Sequence, residues 1–195
     1  LGSHKGIVNE ALSGRSNIKT IVQCDVSEKM VRATSGLRVV GDEELQPFGM
    51  ASFDLVISSA NFHWINDLPG TLTQVLKSLK PDGLLLVNFL GGETLNELRQ
   101  SLFKAELEIK GGASPRVSPF ADLRDAGALL QRAGFALPVA DIESMTVSYE
   151  SPQKLLNDLK GMGEVNSTSS RLKSFTSKEI LSHACNSYQE VYGDS

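Results

Sequence analysis

The stretch that most constrains the fold runs from residue 53 to residue 90, FDLVISSANFHWINDLPGTLTQVLKSLKPDGLLLVNFL. It begins and ends with apolar runs that are typical of strands buried on both faces. Between them, apolar residues recur at helical spacing from Leu68 to Leu79, with Asp67 as the predicted N-cap. Lys80 to Gly83 read as a turn before the second strand. The stretch therefore predicts a βαβ unit of a parallel sheet.

The loop after the first of these strands is the place where such a fold carries function, because ligands of parallel sheets bind at the carboxyl ends of the strands. The loop contains Ser58, Ser59, Ala60, Phe62, His63 and Trp64. An aromatic pair at this edge can form the wall of a cofactor or substrate pocket. The sequence assigns no catalytic residue. His63 is a candidate general base, and the alternative is that His63 has only a structural role.

The rest of the chain continues the alternation of strands and helices. Further strands are predicted at residues 18–25, 38–40 and 142–149, and further helices within residues 1–16, 27–33, 94–109, 120–133, 151–160 and 176–191. Capping boxes at Thr94 and Thr176 begin two of these helices. The pattern predicts one α/β domain over residues 1–195, with a three-layer architecture and with residues 150–192 as a helical insertion or cap.

Carboxylates follow two of the early strands. Asp25 ends one strand, where it can accept hydrogen bonds from both hydroxyls of a ribose, or can instead serve as the N-cap of the helix near Ser27. Asp42 and Glu43 follow the next strand, where a carboxylate can accept from the exocyclic amino group of a purine. Solvated surface is the alternative for this second pair.

Composition limits the classes of function. The chain has 195 residues and a formal net charge of −4, which argues against nucleic-acid binding, and it has no apolar run of membrane-spanning length. We therefore expect at most a peripheral association with membranes, and no targeting segment is visible. Cys24 and Cys185 form neither a disulfide framework nor a zinc cluster, and the three histidines predict no metal site. Arg116 is a solvated arginine or a group that steers an acidic partner.

Several motifs in this order resemble class I S-adenosyl-L-methionine (SAM)-dependent methyltransferases. They are Asp25 after a strand, Gly41-Asp42-Glu43 before Pro47-Phe48, Asp54-Leu55-Val56, and Lys80-Pro81-x-Gly83. The resemblance implies a Rossmann-like, mostly parallel sheet and SAM as the cofactor, with the ribose on Asp25 and the adenine on Asp42 or its neighbour. The implied cofactor-binding residues are Gly2, Asp25, Val26, Asp42, Glu43, Ser58, Ser59 and Ala60. The implied substrate-side residues are Phe62, His63, Trp64, Gly92 and Glu93.

A closer resemblance covers roughly residues 20–192. HWxxDLP from His63, GGETLxELR from Gly91, GGxSPRxSP from Gly111 and LxxMGExN from Leu159 resemble a family of mitochondrial, methyltransferase-like assembly factors of respiratory complex I. The resemblance implies a protein on the matrix side of the inner membrane that uses SAM binding. It also implies a protein substrate, because members of this family hydroxylate an arginine of a subunit of NADH:ubiquinone oxidoreductase.

Two features of the family pattern are expected to be missing from this sequence. The first strand and the glycine-rich loop after it are expected to be absent apart from Leu1-Gly2, and the final antiparallel strand does not follow Tyr192. Two alternatives remain open. One is a SAM-dependent O-methyltransferase that acts on a malonyl thioester of an acyl carrier protein in biotin synthesis. The other is a non-catalytic binding scaffold, which the missing loop favours.

Overall fold

The computed structural model describes residues 1–117, 120–164, 166, 171 and 175–193, and these form two compact units. The first unit comprises Leu1–Leu90 and Leu123–Ala140, and the second comprises Gly91–Asp122 and Asp141–Ser195. The second unit thus contains the predicted helical segment 150–192 and also residues 91–122. The assignment of residues 1–195 to one domain stays a prediction. Ser118 and Pro119 of the GGxSPRxSP motif lie outside the described residues.

The strands of the first unit pair in parallel. They are β1 (Val22–Asp25), β2 (Leu37–Val40), β3 (Phe53–Ser59) and β4 (Leu79–Asn88). Strand β1 pairs with β2, and β3 pairs with β4, in two separate two-stranded sheets. Strand β1 is shorter than predicted. Strand β4 begins at Leu79, before the predicted turn of residues 80–83. These residues form an irregularity within the strand, because the pairing shifts there from Phe53↔Leu79 to Leu55↔Leu84.

The helices begin and end near the predicted positions. They are α1 (Ile7–Leu12), α2 (Glu28–Ala33), α3 (Leu68–Ser78), α4 (Asn96–Lys110), α5 (Leu123–Ala133), α6 (Pro152–Met162) and α7 (Lys178–Tyr192). In the first unit, α3 begins at the predicted cap, since a carboxylate oxygen of Asp67 accepts from the backbone nitrogen of Gly70 at 2.9 Å. None of the helices in the described part of the chain is long and apolar enough to cross a membrane.

The apolar face of α3 closes the core of the first unit over β3 and β4. The buried members of this core are Val56, Phe62, Leu72, Val75 and Leu79. Leu129, Leu130 and Phe135 of the α5 region pack against the same cluster. Because the strand residues and the face of α3 share one core, the carboxyl end of β3 and the loop that follows it are held in a fixed position.

The core of the second unit is formed by helices alone. Its buried residues are Leu98, Leu102, Ala105, Leu155, Ile180 and Ala184, from α4, α6 and α7. The first three recur at helical spacing and lie on one face of α4. The helix-start predictions were wrong by a residue or two. Helix α4 follows Leu95, which has φ of 56°, and Ser177 rather than Thr176 caps α7 by accepting from the backbone nitrogen of Ile180 at 3.3 Å.

The strand predicted at residues 142–149 is not formed. These residues have an apolar alternation, but they make no strand pairing in the structure, and residues 142–148 are exposed. The prediction was wrong because an alternation of apolar and polar residues forms a strand only where a neighbouring strand supplies hydrogen bonds.

A buried ion pair fixes the loop after α4 in the second unit. The Glu106 side chain is 1% exposed, and its Oε1 lies 2.5 Å from Nη2 of Arg116. Ser114 donates to the other oxygen of Glu106 from both its backbone nitrogen and its hydroxyl, each at 2.8 Å. Burial alone would raise the pKa of Glu106, but these hydrogen bonds and the nearby Arg116 lower it to about 2. Arg116, with 12% of its side chain exposed, is therefore not the solvated arginine considered above.

We predict that Arg116→Gln lowers the free energy of unfolding by about 3 kcal/mol, because it leaves the charge of Glu106 buried without its partner. The pKa of Glu106 in the folded chain lies below its ordinary value of 4.5, so its stabilising effect is present above pH 4.5 and is lost as the pH falls toward 2. Urea denaturation at several pH values measures both effects. Lys154→Gln is the matched control, because it breaks the exposed Lys154–Glu150 pair and should cost less than about 1 kcal/mol. Equal losses for the two variants would contradict the prediction.

Candidate functional site

Residues 1–6 form a loop with left-handed backbone at alternate positions. The φ angles of Gly2, His4 and Gly6 are 60°, 47° and 86°. The left-handed conformation is common for glycine and rare for other residues, so His4 is the unusual one of these three residues. The expectation that the glycine loop is absent was wrong, since these six residues form a compact loop that leads into α1. The signal in the sequence was the spacing of Gly2 and Gly6 directly before an apolar helical pattern.

This loop contacts strands of both sheets of the first unit. The backbone nitrogen of Ser3 donates to the carbonyl of Cys24 in β1 at 2.9 Å. The nitrogen of Leu1 donates to the carbonyl of Ile57 in β3 at 2.7 Å. The loop therefore lies toward the carboxyl ends of β1 and β3, which is the edge where ligands of such folds bind.

Gly2 is in close contact with the loop that follows β3. A β-carbon on Gly2 would lie 2.2 Å from Cγ of Asn61, which is too short for two carbon atoms that are not bonded to each other. Only glycine fits here, because both the left-handed backbone and this contact exclude a side chain. Asn61 was not predicted as a site residue, and nothing in its sequence neighbourhood distinguishes it.

Asp25 fastens the same loop to the end of β1. Its side chain is almost buried, with Oδ2 accepting from the backbone nitrogen of His4 at 2.7 Å and Oδ1 from that of Ser27 at 2.8 Å. The N-cap of α2 is Ser27, whose hydroxyl accepts from Met30 at 3.4 Å, so Asp25 does not fill that alternative role. Each carboxylate oxygen keeps a second acceptor site. Asp25 can thus hold the loop and still accept from ribose hydroxyls.

The acids after β2 lie beside Asp25 and differ from each other in exposure. The backbone nitrogen of Gly41 donates to the carbonyl of Asp25 at 3.1 Å, which brings the next two residues to the same edge. Asp42 is exposed, and its Oδ1 accepts from the backbone nitrogen of Glu44 at 2.8 Å. Glu43 is buried, and burial raises its pKa, with a further contribution from the nearby carboxylates of Asp25 and Asp42. The exposed Asp42 is the better placed of the two for a purine amino group.

Side chains from α3 and the loop before it hold this acidic segment. Gln74 accepts from the backbone nitrogen of Gln46 at 3.0 Å and donates to the carbonyl of Glu44 at 2.7 Å. The carboxylate of Glu44 also accepts from the backbone nitrogen of Asn66 at 2.8 Å. Sequence reasoning missed these residues, because each acts on a backbone atom that is distant in the sequence.

Cys24 lies directly before Asp25 and is 1% exposed. Its thiol is 3.6 Å from the carbonyl oxygen of Gly41, to which it donates. Burial, assisted by the charge of Glu43, raises the pKa of Cys24 to about 11. The thiol is therefore protonated near neutral pH, and the cysteine packs rather than acting as a nucleophile.

The residues that end β3 are positioned by Asn88 at the end of β4. The Ser59 hydroxyl donates to Oδ1 of Asn88 at 3.3 Å, and the backbone nitrogen of Ala60 donates to the same atom at 2.8 Å. Ala60 has φ of 50°, which turns the chain away from the strand. The Ser58 side chain is 1% exposed, and within the described part of the chain its hydroxyl has no hydrogen-bond partner. The hydroxyl therefore lies beneath the surface of this edge rather than facing a ligand.

The predicted aromatic residues occupy different environments. Phe62 is 2% exposed and belongs to the core of the first unit, so it supports the loop from beneath. His63 and Trp64 are half-buried, with ring centroids 5.5 Å apart. Val26, predicted to contact the cofactor, is 63% exposed beside Asp25. The assignment of these residues to cofactor and substrate stays a prediction.

Gly92 and Glu93, predicted to lie on the substrate side, belong to the second unit. The structure thus groups Gly2, Asp25, Asp42 and Glu43 around one edge of the first unit, while the role of Gly92 and Glu93 stays a prediction. Among the residues that the structure describes, no group of three or more His, Cys, Asp or Glu side chains is arranged to hold a metal ion.

Comparison with known proteins identifies the kind of domain to which the carboxyl edge of the first unit belongs. A family model described as "Methyltransferase domain" matches residues 1–87. The protein "Arginine-hydroxylase NDUFAF5, mitochondrial" of Danio rerio is 41% identical over an alignment that covers 93% of this chain and 60% of that protein. The protein of the same name in Homo sapiens is 40% identical, with 98% of this chain and 56% of that protein covered. The chain therefore spans less than two thirds of the length of these relatives.

Relatives with other names share the same domain. A Rickettsia prowazekii protein named as a methyltransferase of unstated substrate is 36% identical, with 80% of this chain and 69% of that protein covered. A "Malonyl-[acyl-carrier protein] O-methyltransferase 1" of Coxiella burnetii is 34% identical over 91% of this chain and 60% of that protein.

Solved structures share the fold at low sequence identity. A SAM-dependent methyltransferase of Thermotoga maritima has a TM-score of 0.53 at 20% identity, covering 70% of this chain and 62% of that chain. An S-adenosylmethionine-dependent methyltransferase of Mesorhizobium loti has a TM-score of 0.51 at 17% identity, covering 71% of this chain and 73% of that chain. The predicted fold class is confirmed. This chain belongs to the methyltransferase family with the class I, Rossmann-like fold.

Proposed function

We propose that this chain is the SAM-binding part of a mitochondrial, methyltransferase-like protein that acts in the assembly of respiratory complex I. The proposed reaction is hydroxylation of an arginine in a subunit of that complex, in which a C–H bond becomes C–OH with O2 as the oxidant, a two-electron donor as the co-reactant and water as the second product. The observation that carries the proposal is the 41% and 40% identity, over 93% and 98% of this chain, to relatives named mitochondrial arginine-hydroxylases. The motifs that begin at His63, Gly91, Gly111 and Leu159 led to the same family from the sequence.

The residues at the carboxyl edge of the first unit fit SAM. Gly2 leaves room beside Asn61, and Asp25 keeps free acceptor sites. In the proposed complex, Asp25 accepts from the ribose hydroxyls and Asp42 from the adenine amino group. When bound, SAM supplies a sulfonium group with a transferable methyl group. The residues of the chain orient the nucleoside and hold the loop of residues 1–6 against it.

The charge of this edge suits cationic ligands. Asp25, Asp42 and Glu43 are neighbours there, and the carboxylates of Asp25 and Asp42 both act to raise the pKa of Glu43. A negative edge attracts both the sulfonium of SAM and the guanidinium of an arginine substrate. The electrostatics therefore support a basic side chain, rather than a carboxylate, as the group brought to this edge.

The partners and the location follow from the same relatives. We propose a protein substrate, namely a subunit of complex I, and a place on the matrix side of the mitochondrial inner membrane. The names of the two relatives include the word mitochondrial. Peripheral contact with the membrane is sufficient for a protein that acts on a subunit during assembly.

The second candidate is methylation of a malonyl thioester on an acyl carrier protein. The observation in its favour is the 34% identity over 91% of the chain to the Coxiella burnetii enzyme of that name. The identity is lower than that to the arginine-hydroxylases. The scaffold alternative loses its main argument, since it depended on the absence of the loop that residues 1–6 form.

The deciding experiment is mass spectrometry of complex I subunits from cells with and without the full-length protein. We expect an arginine that carries one additional oxygen atom only when the protein is present, and the modification should return with the unaltered gene. Methylated malonyl-acyl carrier protein, with unmodified arginines, would instead establish the second candidate.

We predict that Asp25→Ala weakens SAM binding by about 1–3 kcal/mol, the range of charge-assisted hydrogen bonds. Isothermal titration calorimetry measures the affinity, and circular dichroism checks the fold, since the loop of residues 1–6 also depends on Asp25. Asp54→Asn is the matched control, because Asp54 is exposed at the opposite end of β3 and pairs with Lys80. Unchanged affinity in a folded Asp25→Ala chain would show that Asp25 only fastens the loop.

We predict that Glu43→Gln raises the melting temperature of the chain at neutral pH. Burial raises the pKa of Glu43 in the folded state, so its effect on stability is favourable below its ordinary value of 4.5 and is lost as the pH rises through the raised pKa. The gain from the substitution should therefore disappear as the pH falls toward 4.5. Thermal melts across this range test it, with the exposed Glu10→Gln as control. A gain that is independent of pH would refute the electrostatic explanation.

A further inference from the structure

A cavity of about 320 Å³ lies in the second unit, between α4 and the loop that follows it. Its walls include Arg99, Phe103, Ser114, Pro115, Arg116 and Val117. The proposed reaction uses none of these residues. The volume is at the small end of the range of ligand sites, which suits a molecule of a few non-hydrogen atoms.

Two arginines give this cavity its charge. Nη2 of Arg99 donates to the carbonyls of Gly92 and Thr94, each at 3.1 Å, so these contacts leave its positive charge without a carboxylate. The charge of Arg116 is balanced by Glu106, but Lys110 also lies 3.5 Å from that carboxylate. Arg116 and Lys110 therefore share the one carboxylate of Glu106, and Arg99 adds a further positive charge to the wall of the cavity.

Both arginines also have an unused hydrogen-bond donor. Nε of Arg99 and Nε of Arg116 are buried, and neither has a hydrogen-bond partner among the residues that the structure describes. A buried donor without an acceptor costs free energy, so the fold holds both guanidinium groups at the cavity wall at a cost, and the parts of these groups that line the cavity are what a ligand meets. The hydroxyl of Thr176 accepts from Nη1 of Arg116 at 2.9 Å, which fixes the guanidinium plane beside the cavity.

The remaining walls are apolar. Phe103, Pro115 and Val117 contribute them, and Phe103 is 55% exposed, so it lies at the mouth. A free inorganic anion would leave these walls unused, whereas a carboxylate with a short hydrocarbon stem would cover them.

We propose that this cavity binds the carboxylate group of a ligand that carries a short apolar stem. The guanidinium of Arg99 meets the carboxylate, and the apolar walls cover the stem. The proposal is independent of the proposed function, because an arginine substrate would be repelled by Arg99 and Arg116. The carboxylate belongs either to a small organic acid or to an acidic side chain of a protein.

The test is an NMR titration of the full chain with three probes. Hexanoate has the carboxylate and the stem, hexylammonium has the same stem with the opposite charge, and inorganic phosphate has negative charge without a stem. We expect saturable shifts of the resonances of Arg99 and Val117 with hexanoate and none with hexylammonium. Equal affinity for hexanoate and phosphate, or for hexanoate and hexylammonium, would overturn the proposal.

Variants locate the binding. Arg99→Gln should weaken hexanoate binding by about tenfold or more, the range of a charge-assisted hydrogen bond. Lys104→Gln is the matched control: it removes the same charge from α4 at a residue that lines a neighbouring cavity and not this one, and it should change affinity less than about twofold. Equal effects of the two variants would contradict a specific site.

A second variant avoids the structural contacts of Arg99. Phe103→Glu places a competing carboxylate at the mouth, on a side chain that is exposed, and it should abolish hexanoate binding in a folded chain. Retained binding would overturn the proposal. A peptide with a single glutamate distinguishes the two sources, since saturable binding of this peptide with the same dependence on Arg99 assigns the cavity to an acidic side chain. Binding of hexanoate alone assigns it to a small acid.

Discussion

The carboxyl edge of the first unit is organised around one hydrogen bond, from the backbone nitrogen of His4 to the carboxylate of Asp25 at 2.7 Å. Through it, the end of β1 holds the loop of residues 1–6, and the same loop contacts β3 through the nitrogen of Leu1. Since β1 and β3 belong to separate two-stranded sheets, the loop is a direct link between them. A ligand that uses Asp25 therefore contacts the group that organises the whole edge, so binding and local stability should change together.

The two units bury carboxylates in opposite ways. Glu106 is surrounded by Arg116 and Ser114, so its charge is stabilised and its pKa falls to about 2. Glu43 is buried near other carboxylates, so its pKa rises and its charge lowers the stability of the fold. The first arrangement fixes a loop. The burial of Glu43 near other carboxylates lowers the stability of the fold when no cationic ligand is bound. Carboxylates with such strongly perturbed surroundings are found more often at functional sites than at purely structural ones.

The sequence predicted the elements whose pattern and partners are local. Strand β3, helix α3 and the cap by Asp67 follow from periodicity and capping chemistry within one stretch of chain. The predictions failed where the structure of a residue depends on groups that are distant in the sequence. The strand expected at residues 142–149 has no pairing partner in the structure, and Arg116 is buried because Glu106 lies across a loop. At the site, Asp25 and Asp42 were predicted from their position after strands. Asn61, Gln74 and His4 were not, because their roles are contacts with backbone or with glycine.

The charges of the two described ligand regions point to different ligands. The carboxyl edge of the first unit combines Asp25, Asp42 and Glu43, which favours cations. The cavity of the second unit is lined by Arg99 and Arg116, whose positive charges favour anions. A single ligand group cannot satisfy both, because each region repels what the other attracts. In the proposed function, SAM and a basic substrate group both lie at the first edge. The proposed carboxylate ligand of the second unit is then a separate group, because the acidic edge would repel it.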